Sequence, residues 1–361
     1  MASDHDHLPA APRATAGSTG IAPLAWCLLA AALFGASTPA TKQFTERLGA
    51  FEIAGLLYAG AGLCVSPWAL RSWARASLSP TRRQRLYLAG ALISGGVIGP
   101  VLLVMGLARA PAGSVALWLN LETVATAALA RLFFKEHLGL PTLLAVALIA
   151  LGSILLSSQG ASSFVAAGFV ALACLAWGLD NNLTSVIGSY TPAQITFAKG
   201  LLGATVNLGL ATFMSGRSPA LGPALGVMAV GALGYGASLV LYVSSAQQLG
   251  ATRSQLIFST APAWGLGLSW LWFAEPIQGA QVLAAALMLV ALWVYNRERH
   301  AHAHQHEALS HRHWHRHDDG HHQHEHAAEV ERWHTHEHEH AEREHVHPHL
   351  PDLHHRHRHR G

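Results

Sequence analysis

The histidines of this chain are concentrated near its C-terminus, where 23 of the 26 lie between His300 and His359. Neutral imidazole is a good ligand for borderline transition metals, so this density predicts metal binding. The densest runs alternate histidine with other residues and supply the candidate ligands His302, His304, His306, His311, His313, His315, His334, His336, His338 and His340. We expect several weak sites for exchangeable Zn, Ni or Co rather than one fixed cage. The alternative is a low-complexity segment that has no physiological ligand.

Four ionisable residues lie inside otherwise apolar stretches: Lys42, Glu122, Asp180 and Lys199. A charge at membrane depth is costly, so such residues are candidates for function. Asp180 and Lys199 are predicted at a similar depth. They are interpreted either as a buried ion pair that holds two helices together or as a contact for a charged substrate.

Glu122 is predicted near the middle of its helix and has no obvious partner along the sequence. We interpret it as a proton-coupling or substrate-contact residue, with a structural partner across the bundle as the alternative. Lys42, at a helix end, is expected to extend to the membrane surface. Asn120 and Asn181 add hydrogen-bonding capacity to the candidate substrate and coupling site, although most such amides hold helices together.

The elements that position these residues are predicted to be membrane-spanning helices. The chain is 51% hydrophobic and only 12% charged, and one span needs about 20 mainly apolar residues. Ten runs fit: 22–43, 50–70, 86–107, 112–132, 140–157, 163–187, 191–213, 224–246, 252–273 and 278–296. The predicted fold class is therefore an all-α integral membrane protein with ten transmembrane helices and a disordered tail.

Lys and Arg are distributed unevenly among the predicted loops. The loop after the second run carries Arg71, Arg75, Arg82, Arg83 and Arg85, which places it in the cytoplasm by the positive-inside rule. Alternation then puts both termini in the cytoplasm, so the histidine tail faces the cytosol. The predicted location is the cell inner (plasma) membrane, which the chain crosses several times.

The apolar part of the chain contains an internal repeat. Residues 107–156 align without a gap onto residues 246–295, and earlier Phe34-Gly35 resembles Trp177-Gly178. Each unit has five predicted spans, and an odd number makes the second unit enter the membrane from the opposite side. Inverted repeats are usual in secondary transporters, whose substrate site lies near the midplane where the halves meet. The predicted domains are a disordered segment 1–20, a first repeat 21–157, a second repeat 163–296 and the histidine tail 297–361.

The repeat also carries a family resemblance. Ala110-Pro111-Ala112-Gly113-Ser114 leads through Leu119-Asn120-Leu121-Glu122-Thr123 to Phe134-Lys135-Glu136, and the second half has Phe258-Ser259-Thr260-Ala261-Pro262 followed by Phe273-Ala274-Glu275-Pro276. These segments resemble the EamA family of the drug/metabolite transporter superfamily, over about residues 21–296, and the tail resembles a subgroup with histidine-rich ends. The resemblance implies two inverted five-helix EamA units and transport of small solutes, often export. It does not imply a particular substrate.

Several other function classes find no support in the residues. The sequence has no Ser/His/Asp set, HExxH motif or phosphate-binding glycine loop, so we expect no enzyme activity. The cysteines, Cys27, Cys64 and Cys174, lie singly in apolar stretches and predict no disulfide framework. No nucleic-acid-binding motif is present, and nucleic acid is not an expected partner.

The combined prediction is a secondary transporter of a small organic solute or metal chelate, compatible with proton coupling and with export. Its cytosolic tail is predicted to bind a transition metal and to regulate transport. One alternative is a divalent-metal efflux transporter whose tail delivers ions, and a second is a membrane metal sensor without transport. The expected partners are the lipid bilayer, a small-molecule substrate and divalent metal ions, and a homodimer is compatible with the sequence.

Overall fold

In a computed structural model, the apolar part of the chain folds as a bundle of helices. The structure describes residues 21–74, 80–134, 140–157, 161–185, 187, 189–216, 218–249, 257–274 and 278–295, and in the tail residues 301–306, 309–312, 337–340 and 343–348. The segment 1–20, predicted to be disordered, lies outside the described residues.

The described part of the bundle contains α-helices and two π-helical segments. In chain order they are α1 (Ile21–Lys42), α2 (Ala50–Ala74), α3 (Arg82–Ala91), the first π segment (Leu92–Ile98), α4 (Gly99–Leu107), α5 (Ala112–Trp118), α6 (Leu121–Phe134), α7 (Leu140–Ser157), α8 (Ala161–Ser185), α9 (Pro192–Ser215), α10 (Leu221–Gly231), the second π segment (Ala232–Ala237), α11 (Ser238–Leu249), α12 (Ala261–Phe273) and α13 (Gly279–Tyr295).

Seven helices are long and apolar enough to cross a membrane, counted over the described residues. They are Ala22–Lys42, Ala50–Trp73, Arg82–Leu107, Ala112–Phe133, Ser163–Thr184, Pro192–Ser215 and Leu221–Ser245. Shorter apolar helices at Leu143–Leu156 and Gly279–Val294 lie within two further predicted spans. The predicted all-helical membrane class is confirmed, whereas the count of ten spans stays a prediction.

Two of the helices begin with the same local device. Thr81 precedes α3 and Thr191 precedes α9, and each hydroxyl accepts a hydrogen bond from the backbone of a glutamine three residues on. Those glutamines, Gln84 and Gln194, bond back to the threonine backbone. This capping box satisfies N–H groups that the first helical turn leaves without partners.

Two long helices change to π geometry near their middles. The segment from Arg82 to Leu107 is continuous but contains the first π segment, and the segment from Leu221 to Leu249 contains the second. Gly95 and Gly96 lie in the first π segment, and Gly234 and Gly236 lie in the second. The π segments are separated by 139–140 positions, which matches the spacing of the sequence repeat. π-Bulges occur frequently at functional sites.

The predicted span 112–132 is interrupted in the structure. α5 ends at Trp118, a turn covers Leu119 and Asn120, and α6 starts at Leu121. The Asn120 side chain donates to the Leu117 carbonyl at 3.0 Å and contacts Met288 Sδ at 3.3 Å, while the Cys174 thiol approaches the Trp118 carbonyl at 3.8 Å. These contacts supply partners for backbone groups that the interruption removes from the helix, as membrane burial requires.

A matching interruption lies in the second repeat. Residues 257–258 are helical, Ser259 and Thr260 form a turn, and α12 starts at Ala261. The Thr260 hydroxyl donates to the Ile257 carbonyl at 2.7 Å. The interruption in each repeat therefore lies at the equivalent residue, with Asn120 matched by Ser259 at the spacing of 139.

The two repeats meet where α2 crosses α9. A side chain added at Gly62 would meet the backbone of Gly200, and a side chain added at Gly200 would meet the backbone of Gly62. The helices thus approach each other with no side chain between them. The spacing of 139 carries Ala61, next to Gly62, onto Gly200, so equivalent parts of the two repeats meet here.

A second pair of contacts repeats across the molecule. A side chain at Gly35 of α1 would overlap the backbone around Ala261 and Gly265 of α12. A side chain at Gly178 of α8 would overlap the backbone of α6 between Ala125 and Thr126. The spacing of 139 carries Thr126 onto Gly265, so both helices pack against the second part of an interrupted helix at the equivalent point.

The described part of the histidine tail contains four short strands. β1 (Ala301–His306) pairs antiparallel with β4 (Arg343–Pro348), and β2 (Leu309–Arg312) pairs antiparallel with β3 (Glu337–His340). This differs from the expected disordered tail, since an alternation of period two also suits an extended strand.

The register brings several histidine positions opposite one another. His302 pairs with His347, His304 with His345 and His311 with His338. The candidate ligands His313, His315, His334 and His336 lie outside the described residues. The described strands therefore carry six of the ten predicted ligands: His302, His304, His306, His311, His338 and His340.

Candidate functional site

The structure joins Asp180 of α8 and Lys199 of α9 in an ion pair. Lys199 Nζ donates to Asp180 Oδ2 at 2.6 Å, and the Thr184 hydroxyl donates to Asp180 Oδ1 at 3.0 Å. The side chains are 17% and 6% exposed for Lys199 and Asp180 respectively, so the pair is largely excluded from its surroundings. Removal of either residue should therefore destabilise the protein, because the other would remain as a buried charge without a partner.

The ion pair lies against the first π segment. A side chain added at Gly95 would overlap the Asp180 carboxylate. The Gly95 carbonyl accepts hydrogen bonds from the Tyr58 hydroxyl at 2.6 Å and from Trp177 Nε1 at 3.1 Å. Glycine at this position is what lets the carboxylate, the tyrosine and the tryptophan converge on one turn of the helix.

Glu122 lies in the first turn of α6, directly after the interruption. Its Oε1 accepts a hydrogen bond of 2.8 Å from Asn181 Nδ2, and the same amide contacts Thr126 Oγ1 at 3.4 Å. Glu122 is partly exposed and Asn181 is exposed. The carboxyl group is thus oriented by an amide and remains accessible.

No cationic side chain among the described residues lies within ion-pair distance of Glu122, and the described ion pair is that of Lys199 with Asp180. Both of those residues are close enough for their charges to act on Glu122. The charges of Asp180 and Lys199 offset each other at 2.6 Å, so Glu122 would leave the site with one net negative charge whenever it is ionised.

An aromatic row extends from the neighbourhood of the ion pair. It consists of Tyr58, Tyr235, Phe34, Phe258 and Tyr242, with successive ring centroids 6.1, 5.7, 5.4 and 4.8 Å apart. The row joins α1, α2, the second π segment, α11 and the residues before α12. The Tyr58 hydroxyl donates to the Gly95 carbonyl, and Gly95 lies against the Asp180 carboxylate, so this end of the row reaches the ion pair.

The remaining predicted residues have structural surroundings. Asn120 is buried and bonds at the helix interruption rather than to the other predicted site residues. Lys42 Nζ donates to the carbonyls of Leu107 and Ala110, at 2.5 and 3.1 Å, and so covers the C-terminal end of α4. A cation is favourable at that end of a helix. The structure therefore groups Glu122 with Asn181 and Asp180 with Lys199, and places Asn120 and Lys42 elsewhere.

Sequence reasoning did not identify the aromatic row. Its members are single aromatic residues on separate helices, with no spacing in common, and only the tertiary fold assembles them. The glycine clusters at Gly95-Gly96 and at Gly231, Gly234 and Gly236 were the available signal for the π segments, because they mark places where neighbouring helices approach closely.

Metal ligands do not converge in the part of the chain with described side chains. No group of three or more His, Cys, Asp or Glu side chains there is arranged to hold an ion. Metal binding by the tail stays a prediction.

Comparison with known proteins identifies the class. The model of the EamA-like transporter family matches residues 21–158 and again residues 165–297. A protein of Methanothermobacter thermautotrophicus named only as an uncharacterized transporter is 26% identical over 225 residues, which is 58% of this chain and 63% of that protein. One solved crystal structure, 17% identical, covers 78% of this chain and 99% of its own chain with a TM-score of 0.55, which shows a shared fold.

Two matches to one helical membrane family, in tandem over most of the chain, define a multi-pass membrane protein built from two related units. The chain belongs to the EamA-like transporter family. The family and the archaeal relative indicate a membrane transporter rather than an enzyme. Neither of them names a substrate.

Proposed function

We propose that this protein is a proton-coupled secondary transporter that exports a small organic solute or a metal chelate. The observation that carries the proposal is the accessible Glu122 carboxylate, which Asn181 orients at 2.8 Å and which no cation neutralises among the described residues. A carboxylate in the middle of a membrane bundle is energetically costly, so it marks a candidate functional site. A proton or a substrate that binds there removes the cost.

The proposed architecture is ten transmembrane helices in two inverted five-helix repeats. The equivalent interruptions after Trp118 and before Ala261 support this arrangement, as does the close approach of the two repeats at Gly62 and Gly200. Discontinuous helices at a repeat interface are the usual setting of a substrate site in secondary transporters. Arg71, Arg82, Arg83 and Arg85 support a cytoplasmic location for both termini in the inner membrane.

The histidine tail is proposed to bind Zn, Ni or Co reversibly and to regulate transport. Support comes from the density of histidine and from the register that sets His302 against His347 and His304 against His345. Imidazole ligands suit these metals, and weak sites would exchange ions at cytosolic concentrations. Regulation would follow if the occupied tail alters the cytoplasmic ends of the helices to which it is joined.

The test is reconstitution in liposomes that contain a pH-sensitive dye. Amino acids, amines, metal–amino-acid chelates and free Ni, Co and Zn salts are added to full-length protein and to protein truncated after Glu298. We expect proton flux with an organic solute or chelate, retained after truncation but no longer sensitive to metal. Glu52→Gln serves as the matched control for Glu122→Gln, because Glu52 accepts a local hydrogen bond from the Gly49 backbone at the start of α2.

Flux of a free metal that disappears on truncation would overturn the organic solute in favour of a metal efflux transporter. Absence of flux for every solute, together with metal binding by the tail, would replace transport by metal sensing. Retained flux with no response to metal before or after truncation would remove the regulatory role of the tail.

A further inference from the structure

The register of the tail strands determines which histidines lie on the same face of a ribbon. We propose that one divalent transition-metal ion binds to the face of the β1–β4 ribbon that carries His302, His304, His345 and His347, which we call the four-histidine face. This assignment rests on the metal binding that we propose above for the histidine tail. Two of the four residues, His345 and His347, are not among the ligands predicted from the densest histidine runs.

The alternation of histidine is in phase on the two paired strands. Successive residues of a strand lie on opposite faces, so His302 and His304 share one face of β1. Their partners across the ladder are His347 and His345, and residues directly opposite each other share a face. A shift of one residue in the register would move every residue of one strand to the other face and would separate these pairs. The observed register therefore collects four histidines on one face.

The opposite face of the same ribbon has a different composition. It carries Ala301, Ala303 and Gln305 on β1, opposite Pro348, Val346 and Glu344 on β4. None of these six residues is a histidine, so every histidine of β1 and β4 lies on one face. The high histidine content of the tail does not by itself produce this segregation, because it depends on how the two strands are paired.

The spacing within an antiparallel ribbon suits a shared ion. Residues directly opposite each other have Cβ atoms about 4.5–5.5 Å apart, and residues two apart on one strand are about 7 Å apart. Two nitrogens bound to one ion lie at most about 4 Å apart, because each Zn–N bond is about 2.0–2.1 Å long. Four positions at these spacings allow imidazole ligands from both strands to meet at one ion, and such ligands suit Zn²⁺, Ni²⁺ and Co²⁺.

The four-histidine face ends at His306. This residue shares a face with His302 and His304, but the residue opposite it is Arg343 instead of a histidine. A guanidinium group stays charged and has no lone pair to offer a metal, and its positive charge repels a divalent cation. We therefore exclude His306 from the site, although the density of histidine predicts it as a ligand.

The β2–β3 ribbon collects fewer histidines in the same way. His311 lies opposite His338, and His340 lies two residues from His338 and opposite Leu309. The face thus carries three histidines and one leucine at four equivalent positions. With one imidazole fewer, this ribbon is expected to bind a metal ion more weakly than the four-histidine face does.

An ion at the four-histidine face would link two distant parts of the tail. His302 comes seven residues after Tyr295, the last residue of α13, whereas His345 and His347 lie near the C-terminus. Closing so long a loop costs conformational entropy, and the free energy of metal binding offsets that cost. Metal would therefore hold β4 against β1, close along the chain to the end of α13.

The test is calorimetric titration of Ni²⁺ into the full-length protein in lipid nanodiscs, where we expect one tight step followed by weaker binding. His304→Gln and His306→Gln form a matched pair, because the two residues share a strand and a face and differ in the residue opposite. Loss of a group that only supports a metal ligand typically costs about 10- to 100-fold in affinity. His304→Gln should therefore weaken the tight step at least about 10-fold, whereas His306→Gln should leave it nearly unchanged.

A deletion tests the register without removing any histidine. Deletion of Val346 makes the two histidines beside it adjacent, so only one of them can lie on the four-histidine face in any register. We expect the tight step to weaken at least as much as in His304→Gln. The double variant His354→Gln with His355→Gln is the control for histidine number, since it removes two histidines that belong to none of the four strands, and it should keep the tight step.

The possible results separate this site from the function proposed above. Equal losses in His304→Gln and His306→Gln, or an undiminished tight step after deletion of Val346, would overturn the four-histidine face while the tail still binds metal. Absence of a tight Ni²⁺ step in the unmodified protein would overturn both the four-histidine face and the metal-binding role of the tail. Flux of an organic solute in liposomes would leave the transport function standing in either case.

Discussion

The contact between α8 and α6 can be compared with the contact between α1 and α12, because the internal repeat makes the two contacts equivalent. Gly178 packs on the backbone of Ala125 and Thr126, and Gly35 packs on the backbone near Trp264 and Gly265. Close approach of helix backbones through small residues is a usual source of stability in membrane bundles. In this respect the halves are alike.

The ionisable residues of the same region have no ionisable counterparts in the other half. With Gly178 aligned on Gly35, Asp180 falls on Ser37, and the spacing of 139 places Glu122 on Ala261 and Lys199 on Gly60. The packing around Asp180 and Ser37 is nevertheless equivalent. Gly95 contacts the Asp180 carboxylate, and Gly234 contacts the Ser37 side chain at the equivalent point.

The two halves therefore share their close helix packing. The ionisable residues of the site, in contrast, have no ionisable counterparts in the other half. If this distinction is correct, substitutions at glycines should have similar effects in the two halves. Substitutions at the charged positions should have effects that their counterparts lack.

The largest expected effect comes from opening the ion pair. Asp180→Asn leaves the Lys199 ammonium group buried without its partner, and removal of one member of a buried pair costs about 3–5 kcal/mol. The free energy of unfolding, measured by SDS titration in mixed micelles, should fall by about this amount. The double variant Asp180→Asn with Lys199→Met should recover most of it, since no isolated charge remains.

The counterpart position provides the control for this prediction. Ser37→Ala removes one hydroxyl that donates to the Phe34 carbonyl at 2.6 Å, with an expected cost of about 1 kcal/mol. A double variant as unstable as either single variant would mean that the pair contributes something other than mutual neutralisation.

The next effect concerns flux rather than stability. Glu122→Gln removes the carboxylate but keeps an oxygen that can accept from Asn181, so folding should change little. Loss of a buried charge partner costs at least about 2 kcal/mol in binding, or about 30-fold, and flux in liposomes at low substrate concentration should fall by at least this factor. Ala261→Ser, at the equivalent position, should leave flux near that of the unmodified protein; undiminished flux in Glu122→Gln would remove Glu122 from the site.

A smaller and symmetric effect is expected at the glycines. Gly178→Ala and Gly35→Ala each place a methyl group against backbone, and overpacking typically costs about 1–3 kcal/mol. The gain in helix propensity, about 1 kcal/mol, offsets part of this cost. SDS titration should show similar losses for both variants.

Gly168→Ala is the matched control on the same helix as Gly178, because a side chain there meets nothing within 4 Å. It should retain or slightly increase stability. If only one of Gly35→Ala and Gly178→Ala destabilises the protein, the packing of the two halves is less equivalent than the repeat implies.

The smallest effect is expected at Lys42, a charged residue outside the site. Lys42→Met removes two hydrogen bonds to the carbonyls of Leu107 and Ala110. A cation at a helix C-terminus contributes about 0.3–1 kcal/mol, so unfolding should become easier by about that amount while flux is unchanged. A loss of flux comparable with that of Glu122→Gln would make Lys42 part of the site.

Much of this organisation could be predicted from the sequence because it depends on composition and spacing. Long apolar runs predict helices, and the offset of 139 predicts the repeat. Rare charges in apolar runs drew attention to Asp180, Lys199 and Glu122, and the structure places the first two in contact. The bonding of Glu122 to Asn181 was not predictable, since the helices of those residues are separated by α7 along the chain.

Other features leave no trace in hydropathy. A π segment such as Leu92–Ile98 is apolar, and so is α4, which continues directly from it. The interruption at Leu119–Asn120 is stabilised from a distance by Cys174 and Met288, so its cause is not local. The metal-binding role of the histidine tail stays a prediction, supported by the density of histidine and by the strand register.

The equivalent π segments also show which irregular features belong to the repeating unit. A π segment accommodates more residues per turn than an α-helix, and both copies have it at the spacing of the repeat. The irregular turn is therefore a property of the repeating unit itself and occurs twice in the bundle. The charges of Asp180, Glu122 and Lys199 have no counterparts, so each of them occurs once.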